Sequence, residues 1–545
     1  MCRLGYFGGL LMSGVSRQVR TRAERRSLSR KNIQNIIAVL AVFVSSSPAL
    51  AAPEPSDDWG RWVPLSFARD GGTNTLSVAP SQKWWTEYES PELDELVSIA
   101  LANNNQLNAA VARITQAEAR LRAANGGRAP TIDAIARATY RAPEFGVGTA
   151  PTRSDYSSRQ IYQAGLRVSY EVDLWGRGSY RQNAAVQQLK SNRFAREALA
   201  QTLVSDVVTA YFTVLALRER EGLAKQNYET AQQIERVIER RAERGDLSII
   251  DREQQSLATA DSGAQLFQLR EQLATAEGNL AFLLGRPLGM LQVAAPALLD
   301  VRIPEIAAGL PAAMVCRRPD IRRAEADLLA ARADLGLARK GLLPSITLTA
   351  EGGFGASNLS RALSPQSLFT DIVGQLVQSV FDGGRKKAAI SEQTGRQKEL
   401  LENYRGTILA ALRDTEEALA GVQLTQSRLT LFAGASARSS RLVSMTQRVF
   451  DRGALDYSSL LESQRTQFRT ADLAVIARLD RLKASVDLFK ALGGGQNSEK
   501  DDCVSATLDV TGLPAAQSDA PSVPSTAKTP SPQAKPAGKK KTTRW

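Results

Sequence analysis

The sequence predicts a mostly α-helical protein with a small membrane-crossing β portion, built as two tandem copies of one unit: a strand pair followed by long coiled-coil helices. Three observations predict it. The second half of the chain repeats the first at a fixed offset. Within each copy the hydrophobic period switches from two to a heptad. The heptad runs are too long for an ordinary globular domain.

The repeat comes first, because it fixes the architecture. Pro130-Thr131-Ile132 and Pro344-Ser345-Ile346 open equivalent strands 214 residues apart. Trp175-Gly176-Arg177 matches Gly383-Gly384-Arg385, Arg244-Gly245 matches Arg452-Gly453, and Leu284-Gly285 matches Leu492-Gly493, all at an offset of 208. The six-residue slip falls in polar loops near 144–159 and 356–367. Loops accept length changes that packed helices do not. Repeat 1 is therefore placed at 92–285 and repeat 2 at 318–495, joined by a linker at 286–317.

Each copy opens on a helix, about 92–124 and 318–341. Pro319-Asp320 puts proline in the first turn and a carboxylate near the positive helix end. Asn104 or Asn105 is the expected cap of the matching start in copy one. The strand pairs follow, at 131–143/160–174 and 345–355/368–381. In 162–174 the even positions are Tyr162, Ala164, Leu166, Val168, Tyr170, Val172 and Leu174, whereas the odd ones include Gln163, Arg167, Glu171 and Asp173. Alternation of this kind gives one apolar and one charged face. It suits a tilted membrane strand, with Tyr140, Trp175, Phe354 and Phe381 available for aromatic girdles. A water-soluble antiparallel sheet with one wet face has the same pattern. On the barrel reading Arg137, Arg167 and Glu171 line the pore.

After Arg177 and Arg385 the apolar residues take heptad spacing. Ala200, Val204, Val207, Tyr211 and Val214 are matched by Ile408, Leu412, Thr415, Leu419 and Val422. This is a coiled-coil seam. A proline-free helix over about 178–244 would be roughly 100 Å long, the length of a stalk or tube. Gly245 and Gly453 sit where a helix end needs a left-handed residue, each after an arginine that suits the helix dipole. Return helices are expected at about 249–284 and 457–492. Four strands per chain cannot close a barrel, and lipid does not tolerate an open edge, so the chain must oligomerise.

The remaining segments read as peripheral. A basic stretch from Arg17 to Lys31, the apolar run Ile36–Val44 and the Ala49-Leu50-Ala51 cleavage pattern make 1–51 a signal peptide. Residues 52–91 form an N-terminal extended segment. The tail, 496–545, is rich in Pro, Ser and Lys and reads as disordered. No run of about 18 uninterrupted apolar residues occurs, so no transmembrane helix is expected.

Composition narrows the chemistry. The net charge is +13, but residues 1–51 carry +7 and the tail +2, leaving +4 on the body. That distribution gives no nucleic-acid footprint. With no histidine among 545 residues, Ser-His-Asp and Cys-His nucleophiles and histidine metal sites are excluded together. The three cysteines, Cys2, Cys316 and Cys503, form no CxxC. Neither a cofactor nor an enzymatic activity is expected, although a carboxylate-only hydrolase or a non-pore coiled-coil scaffold would also satisfy the composition.

Arg317-Arg318-Pro319-Asp320-Ile321-Arg322, followed by Ala324-Glu325, resembles the TolC superfamily of outer-membrane factors, in its NodT/OprM-type branch. Tyr170-Glu171-Val172-Asp173-Leu174-Trp175-Gly176-Arg177, Ala210-Tyr211-Phe212 and Phe381-Asp382-Gly383-Gly384-Arg385 support the resemblance, which covers about 59–495. It implies a homotrimer whose twelve-stranded barrel, set in outer-membrane lipid, continues as a periplasmic α-helical barrel. Such a tunnel is the exit duct of a tripartite efflux system, completed by a periplasmic adaptor and an inner-membrane RND-type transporter. A type I secretion channel is the alternative use.

The resemblance also implies roles for residues. Glu462, nine residues after Gly453, matches an acidic ring at the periplasmic gate, with Asp456 and Asp251 as weaker candidates. Arg244, Gly245, Asp246, Arg452 and Gly453 form the tip that meets the adaptor, and Arg318, Pro319 and Asp320 are structural. Many members carry a lipid-modified cysteine at the mature N-terminus. Position 52 here is alanine, so no acyl anchor is expected.

Overall fold

The computed structural model describes residues 81–141 and 159–494 apart from Asp246, 291–292, 295–296, 307–310 and 362–363, together with Pro64, Phe67 and Ala68. The chain divides into two units, Met1–Trp62 and Val63–Trp545, and every described residue belongs to the second. The expected signal peptide, the tail, Asp246 and the 144–158 loop lie outside the described residues.

A 3₁₀ turn at Trp84–Tyr88 leads into α1 (Pro91–Asn103) and α2 (Asn105–Gly126). The extended segment expected at 52–91 thus ends in a helical turn. The single helix expected at 92–124 is two helices, because the Asn104 side chain accepts from the Gln106 and Leu107 amides and starts a new one. Strands β1 (Thr131–Arg141) and β2 (Arg159–Glu171) precede the long hairpin of α3 (Arg177–Glu243) and α4 (Ile249–Leu283).

The second copy runs α5 (Pro311–Arg317), α6 (Pro319–Lys340), β3 (Ser345–Ala356), β4 (Leu368–Val377), α7 (Arg385–Asp451) and α8 (Tyr457–Ala491). The expected linker therefore holds a helix, α5, and 3₁₀ turns at Leu288–Met290 and Leu298–Asp300. Both long helices have 67 residues and both return helices 35, with every boundary shifted by 208.

Two strands end earlier than the alternation suggests, at Glu171 and Val377. The chain must leave the sheet there to enter the helices. Asp173 accepts from the Gly178 amide at 3.0 Å, and Asp382 accepts from the Gly384 and Lys386 amides at 2.9 and 3.1 Å. These bonds draw the Asp382 carboxyl below its ordinary range, the Lys386 amide being the largest cause. Gly176 and Gly384, with φ of 73° and 84°, make the left-handed step into each long helix. Trp175 Nε1 donates to the Pro344 carbonyl at 2.7 Å and ties the first junction to the start of β3.

The sheet is antiparallel in the order β1-β2-β3-β4, so β1 and β4 are its edges. Gly165 faces Gly353 across β2–β3, where a Cβ on Gly353 would lie 2.3 Å from the Ala164 carbonyl oxygen. No side chain larger than hydrogen fits there without moving backbone.

The main core lies where the middle of α3 meets the ends of α4 and α8 and the start of α1. Val204, Val207, Tyr211 and Val214 of the heptad seam are buried in it. Trp84 stacks on Phe489 with centroids 4.9 Å apart, and Tyr88 meets Phe212 edge-on at 5.0 Å. In copy two Ile408, Thr415 and Leu419 are buried, whereas Leu412 and Val422 are half-buried. Among the described residues one helix, α3, contains an 18-residue window apolar enough on average to cross a membrane, although no uninterrupted apolar run. Half of that window is buried inside the fold, so its apolar character is that of a core helix.

Candidate functional site

Two regions gather the residues singled out by the sequence: one face of the sheet and the paired helix tips.

Strand pairing assigns the faces. Arg137 is opposite Gln163, Asp133 is opposite Arg167, Arg167 is opposite Glu351, and Glu351 is opposite Asp371. The odd-numbered residues of all four strands therefore share one face, which carries Arg137, Arg167 and Glu171 together. Asp133, Arg167, Glu351 and Asp371 form a single row across it, with Arg167 ion-paired to Glu351. Glu171 pairs instead with Arg177 at 3.1 Å, at the helix end of the sheet. The opposite face is apolar and uncovered: Ile132, Leu166, Leu348, Leu368, Ile372 and Leu376 are all exposed. Sequence reading missed Glu351 and Asp371, although the odd-position rule that found Arg167 also selects them.

Exposed apolar residues continue along the helices. Leu257, Phe267 and Phe282 of α4 and Leu424 and Leu431 of α7 all face outward. Within the chain the two hairpins are tied by Arg220, which meets both oxygens of Asp472 at 2.6 and 3.2 Å.

At the tips, Arg244 caps the end of α3 and Arg452 that of α7, both exposed. Gly245 and Gly453 are left-handed, with φ of 80° and 72°. The Gly453 amide bonds to the Phe450 carbonyl and the Ala454 amide to the Val449 carbonyl, the pair of bonds that closes a Schellman end. Asp251 closes a capping box with Ser248 at the start of α4. Asp456, the residue before α8, accepts from the Ser458 and Ser459 hydroxyls, which hold its carboxyl below the ordinary range. Glu462 lies six residues further on, exposed, in an open cleft with Leu257, Thr446 and Arg465. Its one hydrogen bond among the described residues comes from Thr466 at 3.4 Å. Arg318, Pro319 and Asp320 sit far from the tips, at the start of α6.

The sequence did not single out Tyr457. It is buried at the tip between the hairpins, edge-on to Phe450 at 6.2 Å, while Arg241 of α3 lies 5.4 Å from the Phe450 ring. Its hydroxyl has no hydrogen-bond partner among the described residues. Burial pushes the phenol up to about 12; Arg465 opposes this, and Asp251 and Glu235 reinforce it. The 208-residue register held the signal: the counterparts of Phe450 and Tyr457 are Ala242 and Ile249, and Ile249 is exposed. The two tips therefore differ where the repeat otherwise holds.

Among the described residues no cluster of three or more carboxylate or cysteine side chains is placed to hold a metal ion.

Comparison with known proteins agrees with this geometry. The family model described as "Outer membrane efflux protein" matches residues 96–286 and 310–494. The pyoverdine export outer membrane protein OpmQ of Pseudomonas aeruginosa is 35% identical over 481 residues, 87% of this chain and 98% of that protein. The toluene efflux pump outer membrane protein TtgI of Pseudomonas putida is 29% identical over 437 residues, 79% of this chain and 92% of that protein. The crystal structure of the open state of the Neisseria gonorrhoeae MtrE outer membrane channel superposes with a TM-score of 0.71 at 25% identity. That match covers 79% of this chain and 96% of that one.

Proposed function

The chain belongs to the outer membrane efflux protein family, and from that premise we propose how its parts divide the work of a passive export duct. The protein resides in the outer membrane and extends into the periplasm. Three copies contribute four strands each to a twelve-stranded barrel, and their helices continue it as a tube. The tube joins a periplasmic adaptor and an inner-membrane RND-type transporter, and small molecules leave through it.

One observation carries the assignment of parts: a sheet with an uncovered apolar face and a charged opposite face. In a closed barrel the apolar face meets lipid and the charged face meets water. Arg137, Arg167 and Glu171 are then lumen residues. The exposed helix faces are covered by neighbouring copies, which also pair β1 of one subunit with β4 of the next. Glu462 is the gate carboxylate: three of them around the axis would repel one another and attract cations. Asp456 and Asp251 are bound up in helix starts and contribute charge to the same end. Arg244, Gly245, Arg452 and Gly453 present the exposed tip to the adaptor, with Asp246 between them in sequence.

Planar-bilayer recording of purified trimers tests the gate. Glu462→Gln should raise open probability several-fold and weaken cation preference. Identical conductance traces for the variant and the parent would remove Glu462 from that role.

Export of a siderophore-like metal chelator is a more specific reading, favoured by the 35% identity that extends over 98% of OpmQ. A deletion strain grown without iron should retain its chelator in the periplasm. Normal secretion combined with hypersensitivity to toluene or drugs would leave general efflux as the function.

A further inference from the structure

We propose that the charged face of the sheet holds a notch for a flat aromatic cation, floored by Gly165, Gly353 and Gly355, walled by Phe369 and faced by the Asp371 carboxylate. The notch deepens the duct function and rests on that face being the lumen.

Strand register places its parts. Ile135 is paired with Gly165, Gly165 with Gly353, and Gly353 with Phe369. One row across the face therefore reads Ile135, Gly165, Gly353, Phe369, and its outer members stand three strand spacings apart, about 14 Å. Between them lies bare backbone. At Gly165 and Gly353 the opposite strand's backbone excludes any Cβ. Gly355, paired with Gln163 in the next row, is different. A Cβ there would meet side chains first, Gln163 Cγ at 3.4 Å and Phe369 Cδ1 at 3.5 Å. Strand pairing does not demand glycine at 355, and its effect is to leave space beside the Phe369 ring.

Phe369 is on the unusual face for an aromatic residue in a membrane barrel. Tyr140, Tyr162, Tyr170 and Phe354 all take the even-numbered apolar face, the one suited to lipid. Among the described strand residues Phe369 is the one aromatic side chain on the charged face, and it is half-buried rather than covered. The face of an aromatic ring attracts cations. Asp371 follows Phe369 by two residues on the same face, about 7 Å along the strand. Arg167 is ion-paired with Glu351, whereas Asp371 has no ion pair among the described residues. On the other side of the glycine row Arg137 stands opposite Gln163. Charge thus runs from negative on the helix side of the notch to positive on the loop side. A flat ring with one positive group lies on the glycine floor against Phe369, with its charge toward Asp371.

Planar-bilayer recording of full-length trimers, with N-methylquinolinium added at the loop side, tests the notch. The quinolinium should reduce the current at concentrations at which tetrapropylammonium and naphthalenesulfonate do not. Phe369→Leu should raise the half-blocking concentration about fivefold, and Phe369→Tyr should retain the block. Asp371→Asn should weaken the block, and so should Gly355→Ala, which raises the floor with Phe369 in place. Equal block by tetrapropylammonium would overturn the proposal, as would a half-blocking concentration unchanged in both Phe369→Leu and Gly355→Ala. If reversal potentials still respond to the Glu351→Gln and Asp371→Asn pair in that case, the notch alone is lost. If they do not, the lumen assignment is lost with it.

Discussion

Arg318 Nη1 donates to the carbonyl of Ala491 at 3.3 Å, and in the first repeat Asn104 Nδ2 donates to the carbonyl of Leu283 at 3.0 Å. Ala491 and Leu283 are 208 residues apart, and Arg318 and Asn104 are 214 apart. Two unlike side chains thus perform one task, locking the elbow before a helix onto the last turn of a return helix. This gives the Arg-Pro-Asp segment a physical role. Pro319 starts α6, Asp320 sits in its first turn, and Arg318 grips Asp320 at 3.1 and 2.7 Å while reaching Asp414 at 3.5 Å.

Replacement of Arg318 should therefore act on stability before transport. Its side chain is 12% exposed, and removing it takes a charged donor from two carboxylates and a carbonyl, leaving Asp414 with Arg413 and Asp320 with the Ile321 amide. Arg318→Ala should cost about 2 kcal/mol, read as a lower heat-dissociation temperature of the trimer. Arg318→Lys should recover less than half of that loss, because an ammonium group cannot span both aspartates and the carbonyl as a planar fork does.

The first-repeat elbow should be less sensitive. Asn104→Ala removes a helix cap and the bond to Leu283, a loss of about 1–2 kcal/mol. Asn104→Asp keeps the cap but points a carboxylate at the Leu283 carbonyl, and should fall between the parent and the alanine variant. Chemical denaturation of the three proteins in detergent would rank them.

The Tyr457 hydroxyl is buried without a partner among the described residues, so Tyr457→Phe should be neutral or stabilising by up to about 1 kcal/mol, whereas Tyr457→Ala should cost about 3 kcal/mol. The alkaline limb separates the parent from the phenylalanine variant. Folding raises this phenol from 10.0 to about 12, so the neutral form is favoured in the folded state. Its contribution is complete below pH 10 and is lost as pH rises toward 12. Melting curves between these pH values should fall more steeply for the parent than for Tyr457→Phe.

Asp133, Arg167, Glu351 and Asp371 sum to −2 per chain at one level of the sheet, hence −6 in a trimer. Glu351→Gln should lower the cation-to-anion permeability ratio, and Asp371→Asn should do so more cleanly because it breaks no ion pair. Reversal potentials under a KCl gradient measure both. An unchanged potential in the double variant would place this face away from the conducting path.

Gly353→Ala should impair assembly more than its size suggests. The added Cβ would stand 2.3 Å from the Ala164 carbonyl oxygen, inside the β2–β3 ladder. The strands must separate or slide, and register slips move every side chain to the wrong face. The expected readout is a smaller heat-resistant trimer band in outer-membrane fractions, with Gly374→Ala as the control, since its added Cβ would meet only the Leu348 side chain at 3.5 Å.

The sequence by itself determined the repeat, the number and order of the strands, the length of the helical hairpins and the glycines that turn them. These follow from local causes: a two-residue period makes a two-faced strand, a heptad makes a seam, and a left-handed turn needs glycine. Tertiary structure decided the rest. Where β2 and β4 stop depends on Asp173 and Asp382 capping the next helix from outside it. The break at Asn104 is a local cap, but what ties that elbow to α4 is a carbonyl 179 residues away. The burial of Tyr457 and the alignment of Asp133 with Arg167, Glu351 and Asp371 arise only when separate elements are brought side by side. A period specifies which face a residue takes, but only packing specifies what stands opposite it.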